Sequence, residues 1–298
     1  MESLHSLHDI EAFPSSSTRA STEVIYTQDS ICRQSWHLWG TILREFLDSR
    51  ELIWRLILRD ISARYRQSIL SYLWAILPSI ATVFVFVLLK TSGTIPISET
   101  PVPYVAYALW GISLWQLFAG CLASSTGSLA AAGSLVTKVN FPKVALVLAS
   151  VGSPIFDFVV RLVPLAVIFT SYSVPLKWQT IFMPFTLAPL ILLALGVGFV
   201  MSVANLVLRD VGNGLGIALT LGMFITPVLY PPSFEWPFVL INIVNPASPL
   251  FIASQDLVAY GGLTMAAAFV SSWVFSLLVF LAGWRFFYLA LPRVSQFA

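Results

Sequence analysis

Long apolar runs separated by short charged clusters dominate the chain after Arg66, whereas residues 1–40 are polar and rich in Ser and Thr. About 20 helical residues cross the ~30 Å of bilayer hydrocarbon. Runs of that length predict six membrane-spanning helices: Tyr72 to Leu89, Tyr104 to beyond Cys121, Ala145 to Tyr172, Ile181 to Leu206, Gly214 to Tyr230 and Leu263 to Tyr288. A further uncharged stretch, Trp236 to Gln255, is interrupted by Asn245-Pro246 and Ser248-Pro249. Proline inside a helix removes a backbone donor and clashes with the preceding turn. The stretch therefore reads as two re-entrant half-helices, a backbone path tolerated where protein or a wet cavity covers it. A seventh full span is the alternative reading.

Ahead of the first span the period changes. From Thr41, Ile42, Phe46, Ile53 and Ile57 share one helical face, while Arg44, Glu45, Asp48, Arg55 and Arg59 fall largely on the other. This 3.6-residue period predicts an amphipathic helix. With Trp54 near its middle, it should lie in the membrane interface; packing on a soluble partner is the alternative. Residues 1–40 lack the basic start and apolar core of a signal peptide, and their composition predicts a disordered cytoplasmic tail.

Composition sharpens this picture. Of 298 residues, 57% are hydrophobic and 10% charged, against about 25% charged in a soluble domain. So few charges exclude a soluble enzyme or a nucleic-acid binder and leave an all-α integral membrane protein. The net charge of +2 implies no polyanionic partner, and Cys32 and Cys121 have no metal-ligand spacing. Arg55, Arg59, Arg64, Arg66, Lys138, Lys143, Arg209, Arg285 and Arg293 gather on one face of the predicted topology, and Lys90 and Lys177 on the other. The positive-inside rule makes the first face cytoplasmic, with both termini, and the second external, with the half-helices.

Several residues carry candidate chemistry. Arg59, Arg64 and Arg66, beside Tyr65 and Trp74, form a basic and aromatic collar before the first span. Arginine forks match phosphate oxygens bidentately; plain positive-inside anchoring is the simpler reading. Asp157 and Arg161 stand inside the third span with i, i+4 spacing, so they share a face. They form either an ion pair within the bundle or a polar patch lining a conduit. Trp110, Trp115, Phe118, Tyr230, Phe234 and Trp236 could offer stacking surfaces to sugars or belong to an interfacial belt. Gly212 and Gly216 form a small-xxx-small pattern suited to close helix approach or a gate.

The stretch Arg59 to Pro78 resembles the start of the permease subunit of ABC exporters for bacterial surface polysaccharides. Arg59-Asp60, Arg64-Tyr65, Leu70, Trp74 and Pro78 match that family's pattern; Ser71 stands where glycine is usual, and the proline falls about one position early. Val139-Asn140-Phe141-Pro142-Lys143 resembles its Phe-Pro-basic loop motif, and Leu208-Arg209-Asp210 its Arg-Asp motif. The Asn245-Pro246 and Ser248-Pro249 segment resembles its external re-entrant region, so the resemblance spans residues 41–298.

The resemblance implies a transmembrane domain that works as a homodimer with two separate ABC ATPase subunits. The cargo it implies is a lipid-linked polysaccharide of O-antigen, capsule or teichoic-acid type, in the bacterial cytoplasmic (inner) membrane. It places Arg59, Arg64 and Arg66 at the entry of a lipid-diphosphate head group. Lys138, Phe141, Pro142, Lys143, Arg209 and Asp210 would couple to the ATPase, and Trp110, Trp115, Tyr230, Asp157 and Arg161 would line the channel. The sequence contains no G-x-x-x-x-G-K-[ST] motif. ATP and Mg are therefore expected on the partner subunit, with no enzymatic activity and no cofactor in this chain. An ABC exporter of a drug, bacteriocin or small lipid, and an ion-coupled secondary transporter, remain open alternatives.

Overall fold

Membrane-length helices form wherever the sequence sustains an apolar run, because a chain in hydrocarbon must satisfy its backbone polar groups internally. A computed structural model describes residues 37–66, 70–95, 97–133, 142–175, 177–232, 236, 239, 242 and 244–294. No strand occurs among the described residues. The chain divides after Arg44 into two units, and the second, Glu45–Ala298, holds nearly all of the described structure. Residues 1–36 of the expected disordered tail, Cys32 among them, lie outside the described residues, as do Lys138, Phe141 and Phe234, while its last four residues, 37–40, are helical.

The expected amphipathic helix is two: α1 (His37–Asp48), which runs across the unit boundary, and α2 (Arg50–Tyr65). Ser49 sits at the junction. Its hydroxyl donates to the Glu45 carbonyl at 2.5 Å while the backbone ladder continues through it, Ile53 N to Ser49 O at 2.9 Å. Such back-bonding bends helices, so the two segments need not share one apolar face.

Among the described residues, five helical segments are long and apolar enough to span a membrane: Leu70–Thr91, Tyr104–Ala132, Val144–Ser171, Trp178–Val207 and Ala266–Leu291. They comprise α3 (Leu70–Thr91), α4 (Tyr104–Ala132), α5 (Val144–Ser150) with α6 (Gly152–Ser171), a 3-10 turn (Trp178–Phe182) with α7 (Met183–Val207), and most of α10 (Ala266–Val294). The stretch expected as a span from Gly214 to Tyr230 folds as α8 (Asp210–Ile225), 16 residues or about 24 Å of helix. It stops there for a local reason. Pro227 disfavours the helical conformation at Thr226, whose ψ of 141° is extended.

The last short helix, α9 (Ser248–Ala259), is buried at every position from Ser248 to Val258. Pro249 does not break it but opens it, at the first turn where its missing N–H costs nothing. The earlier of the two expected half-helices falls largely outside the described residues.

Helix α4 is the core of the unit. It packs against α7 on one side, α5 and α6 on another, and α3, α8 and α9 elsewhere. Helix α10 lies along α7 with backbones almost touching: a Cβ on Gly283 would sit 2.1 Å from the Gly196 carbonyl oxygen. Only glycine at both positions permits this crossing. By contrast α3 keeps only Ser79 and Val83 buried, and α8 buries none of its residues.

Candidate functional site

The basic collar is built at the end of α2, which runs onto the start of α3 and against α5 and α6. Arg64 stands in the last turn of α2, and its Nη1 donates to Asp157 Oδ2 on α6 at 2.9 Å. The neighbouring Tyr65 hydroxyl donates to the other carboxylate oxygen, Asp157 Oδ1. One carboxylate thus clasps two consecutive residues of a helix that is 92 positions away in sequence. Asp157 is largely buried (side chain 15% exposed) while Arg64 is half-exposed at 53%. The Arg64 fork therefore keeps donors toward solvent or a ligand.

Tyr65 is itself buried, its ring 4.6 Å from Tyr72 and 4.9 Å from Phe156. Burial, then the Asp157 carboxylate, pushes its phenol far above the usual range, so it remains a proton donor. The Ser71 hydroxyl donates to the Arg64 carbonyl at 3.0 Å, tying α3 to the same corner.

The expected pairing of Asp157 with Arg161 takes another form. Asp157 turns to Arg64 and Tyr65, and Arg161, 7% exposed, donates through Nε to the Ala75 carbonyl of α3 at 3.1 Å. Its Nη1 is buried without a hydrogen-bond partner among the described residues. Arg59 pairs locally with Asp60 at 2.9 Å, and Arg66 is exposed at the end of α2. Arg64, Tyr65, Asp157 and Arg161 thus form one polar corner where α2, α3 and α6 meet.

The two loops expected to couple to an ATPase are partly described. Pro142 and Lys143 lead into α5, with Lys143 at its N-cap. Arg209 and Asp210 are exposed at the junction of α7 and α8, Asp210 lying in the first turn of α8, where its charge complements the helix dipole. Asn205, which no sequence motif singles out, secures this junction. Its Oδ1 accepts from Gly212 N at 2.9 Å and its Nδ2 donates to the Thr126 carbonyl of α4 at 3.3 Å.

The candidate aromatics sit elsewhere, around α9. Trp110 is 4% exposed, and its indole N–H donates to the Ser254 carbonyl at 3.1 Å. Trp115 is 7% exposed, with its ring 5.6 Å from Phe251 and 5.7 Å from Phe118. The Tyr230 hydroxyl donates to the carbonyls of Phe224 and Ile225 at 2.9 and 3.1 Å, satisfying the end of α8. Within this chain Trp110, Trp115 and Phe118 pack the interior, Tyr230 is half-buried and Trp236 is exposed. Gln255, equally unmarked by any motif, holds the group together: its Nε2 donates to the Val228 carbonyl at 3.0 Å and its Oε1 accepts from Tyr107 at 3.0 Å. The sequence signal for Asn205 and Gln255 is a polar side chain within an apolar run, where an amide must find partners.

Long apolar helices, a polar corner at one end and exposed loop charges define a multi-pass membrane protein. More narrowly, residues 51–259 match the ABC-2 type transporter family, and the chain belongs to that family. It is similar to the O-antigen export system permease protein RfbA of Myxococcus xanthus, at 28% identity over 220 residues that cover 72% of this chain and 83% of that protein. A protein of the same name from Klebsiella pneumoniae is 24% identical over 212 residues, 69% of this chain and 79% of its own length. Another from Klebsiella pneumoniae is 25% identical over 211 residues, 68% of this chain and 78% of that protein.

Proposed function

We propose that the chain is the membrane-spanning subunit of an ATP-driven exporter that moves a lipid-linked polysaccharide across the bacterial cytoplasmic membrane. The family match over residues 51–259, together with relatives named for O-antigen export, carries this reading. Two copies would enclose the conduit, and two separate ATPase subunits would supply ATP hydrolysis, since the sequence contains no P-loop. The basic face would be cytoplasmic. Helix α8 and the non-helical residues after it would complete a sixth crossing, with α9 as the inner half of an external re-entrant pair. The half-exposed Arg64, with Arg59 and Arg66, would meet the diphosphate of the cargo lipid, while Asp157 holds Arg64 in place. Pro142, Lys143, Arg209 and Asp210, with Lys138 and Phe141, would receive the ATPase stroke, and Tyr230 would border the path of the glycan once two copies assemble, with the buried Trp110, Trp115 and Arg161 supporting its wall from behind.

The test is deletion of the gene followed by fractionation of lipid-linked glycan, with rescue by Arg64→Gln/Arg66→Gln. Glycan retained inside the deletion strain, with export still impaired when the double variant assembles normally, is the expected result. A normally coated surface in the deletion strain, with no redundant exporter present, removes the polysaccharide reading. Full rescue by the double variant removes the phosphate role alone.

A further inference from the structure

At the end of the molecule away from the polar corner, a cavity of about 540 Å³ lies between α4, α6, the turn Trp178–Phe182, α7 and α9. Its walls are Trp110, Leu165, Phe169, Met183 and Val258, and among the described residues no charged side chain lines it. The volume is that of a site for a drug-sized ligand. The α6 residues at its edge, Leu162, Ala166 and Thr170, and Ser173 just beyond it, are exposed, so the cavity opens sideways from a membrane-spanning helix. Its mostly apolar lining favours hydrocarbon over water as an occupant. Left empty, its lining would forgo dispersion contacts on one side.

Two polar features belong to the turn Trp178–Phe182 and its N-cap. Thr180 lines the cavity, and its Oγ1 is buried with no hydrogen-bond partner among the described residues. One turn earlier, the Lys177 ammonium donates to the Tyr260 carbonyl at 2.5 Å, which uses one of its three donors. The flanking rings of Trp178 and Phe182 are 73% and 54% exposed. Exposed aromatic rings at a span end mark the headgroup level. Beside the hydrocarbon slot, this turn therefore carries an unpaired hydroxyl at Thr180 and, at its N-cap, the Lys177 cation.

We propose that this cavity binds one acyl chain of a bilayer phospholipid, whose phosphate meets Lys177 and whose ester region accepts the Thr180 hydroxyl. The lateral opening and the headgroup-level rim select a lipid already in the bilayer. Its high local concentration favours occupancy by mass action. The proposal depends on α6 and α7 spanning the membrane and not on the identity of the exported cargo.

The test uses the full chain in vesicles of phosphatidylethanolamine and phosphatidylglycerol, doped with a phospholipid carrying a diazirine midway along one acyl chain. After illumination, labelled residues are mapped by mass spectrometry. Label should concentrate on Leu165, Phe169 and Met183 above the level on Val270 and Val274, outward residues of α10. Ala166→Trp places a ring at the mouth from an exposed position. It should lower the cavity label at least about tenfold, the effect of 1.4 kcal/mol, and leave the α10 label unchanged. Leu162→Trp serves if the first variant fails to insert. Thr180→Val should reduce the phospholipid retained on purification, whereas an unoccupied site would be indifferent to it. Four outcomes would overturn the proposal: cavity label no stronger than that on α10, cavity label insensitive to both tryptophans, preferential labelling by a diazirine-bearing polyprenyl phosphate, or a second copy cross-linked across α6.

Discussion

Asp157 shows how a single side chain sets local architecture. Its carboxylate serves two partners at once: the pair with half-exposed Arg64 is screened by solvent, whereas the hydrogen bond from buried Tyr65 is not. Asp157→Ala should therefore destabilise the protein most, by about 1–3 kcal/mol, since it strands the Tyr65 hydroxyl as well. Arg64→Ala should cost about 0–1 kcal/mol, the range of solvent-screened pairs. Tyr65→Phe should fall between them. Denaturation midpoints in one detergent order the three, and an Arg64 variant weaker than the Asp157 variant contradicts the clasp. The raised phenol pKa gives a pH test. A group whose folded pKa lies above its unfolded value of about 10 contributes stability that is present below pH 10 and lost above it. Tyr65→Phe should flatten that alkaline decline. Arg64 and its collar were legible because basic residues beside a span are a local pattern. The partner of Asp157 was not, because i, i+4 spacing points to Arg161 while the real contacts come from a helix distant in sequence.

At the scale of elements, apolar run length located five spans because helix formation in lipid leaves the backbone no alternative. Length did not reveal where a helix yields to local chemistry, as at Ser49, which back-bonds, or at Thr226, held extended ahead of Pro227. Glycines divide in the same way. The small-xxx-small pattern of Gly212 and Gly216 drew attention to α8, yet within this chain a methyl group at Gly216, or at neighbouring Gly214, would meet nothing within 4 Å and one at Gly212 only the Asn205 side chain at 3.1 Å, whereas Gly196 and Gly283 bring α7 and α10 into backbone contact. Gly283→Val should abolish folded protein in a detergent-solubilised chromatography assay, because its Cβ meets a carbonyl oxygen that cannot move aside. Gly214→Ala should be tolerated and can raise helix stability by up to about 1 kcal/mol. Equal behaviour of the two variants would show that the crossing is not fixed by backbone contact.

For the whole molecule, charge bias and helix count bear on a single question, which side each loop occupies. The positive-inside rule assigns Lys143 and Arg209 to one side and Lys177 to the other, with α8 between Arg209 and the segment that leads to α9. A helix of about 24 Å falls short of the ~30 Å hydrocarbon core. It completes a crossing only if the bilayer thins or the non-helical residues Thr226 to Tyr230 share the span. Their polar groups are already provided for in this way: Thr226 accepts from Asn245, Val228 from Gln255 and the end of α8 from Tyr230. Single cysteines placed at Lys143, Arg209, Lys177 and Trp236, in a chain whose Cys32 and Cys121 are replaced by serine, resolve the matter with a membrane-impermeant maleimide. Lys143→Cys and Arg209→Cys should label only in inverted vesicles, and Lys177→Cys and Trp236→Cys only in intact cells. Labelling of Trp236→Cys from the same side as Arg209→Cys would mean that α8 does not complete a crossing, and the chain would then cross the membrane five times.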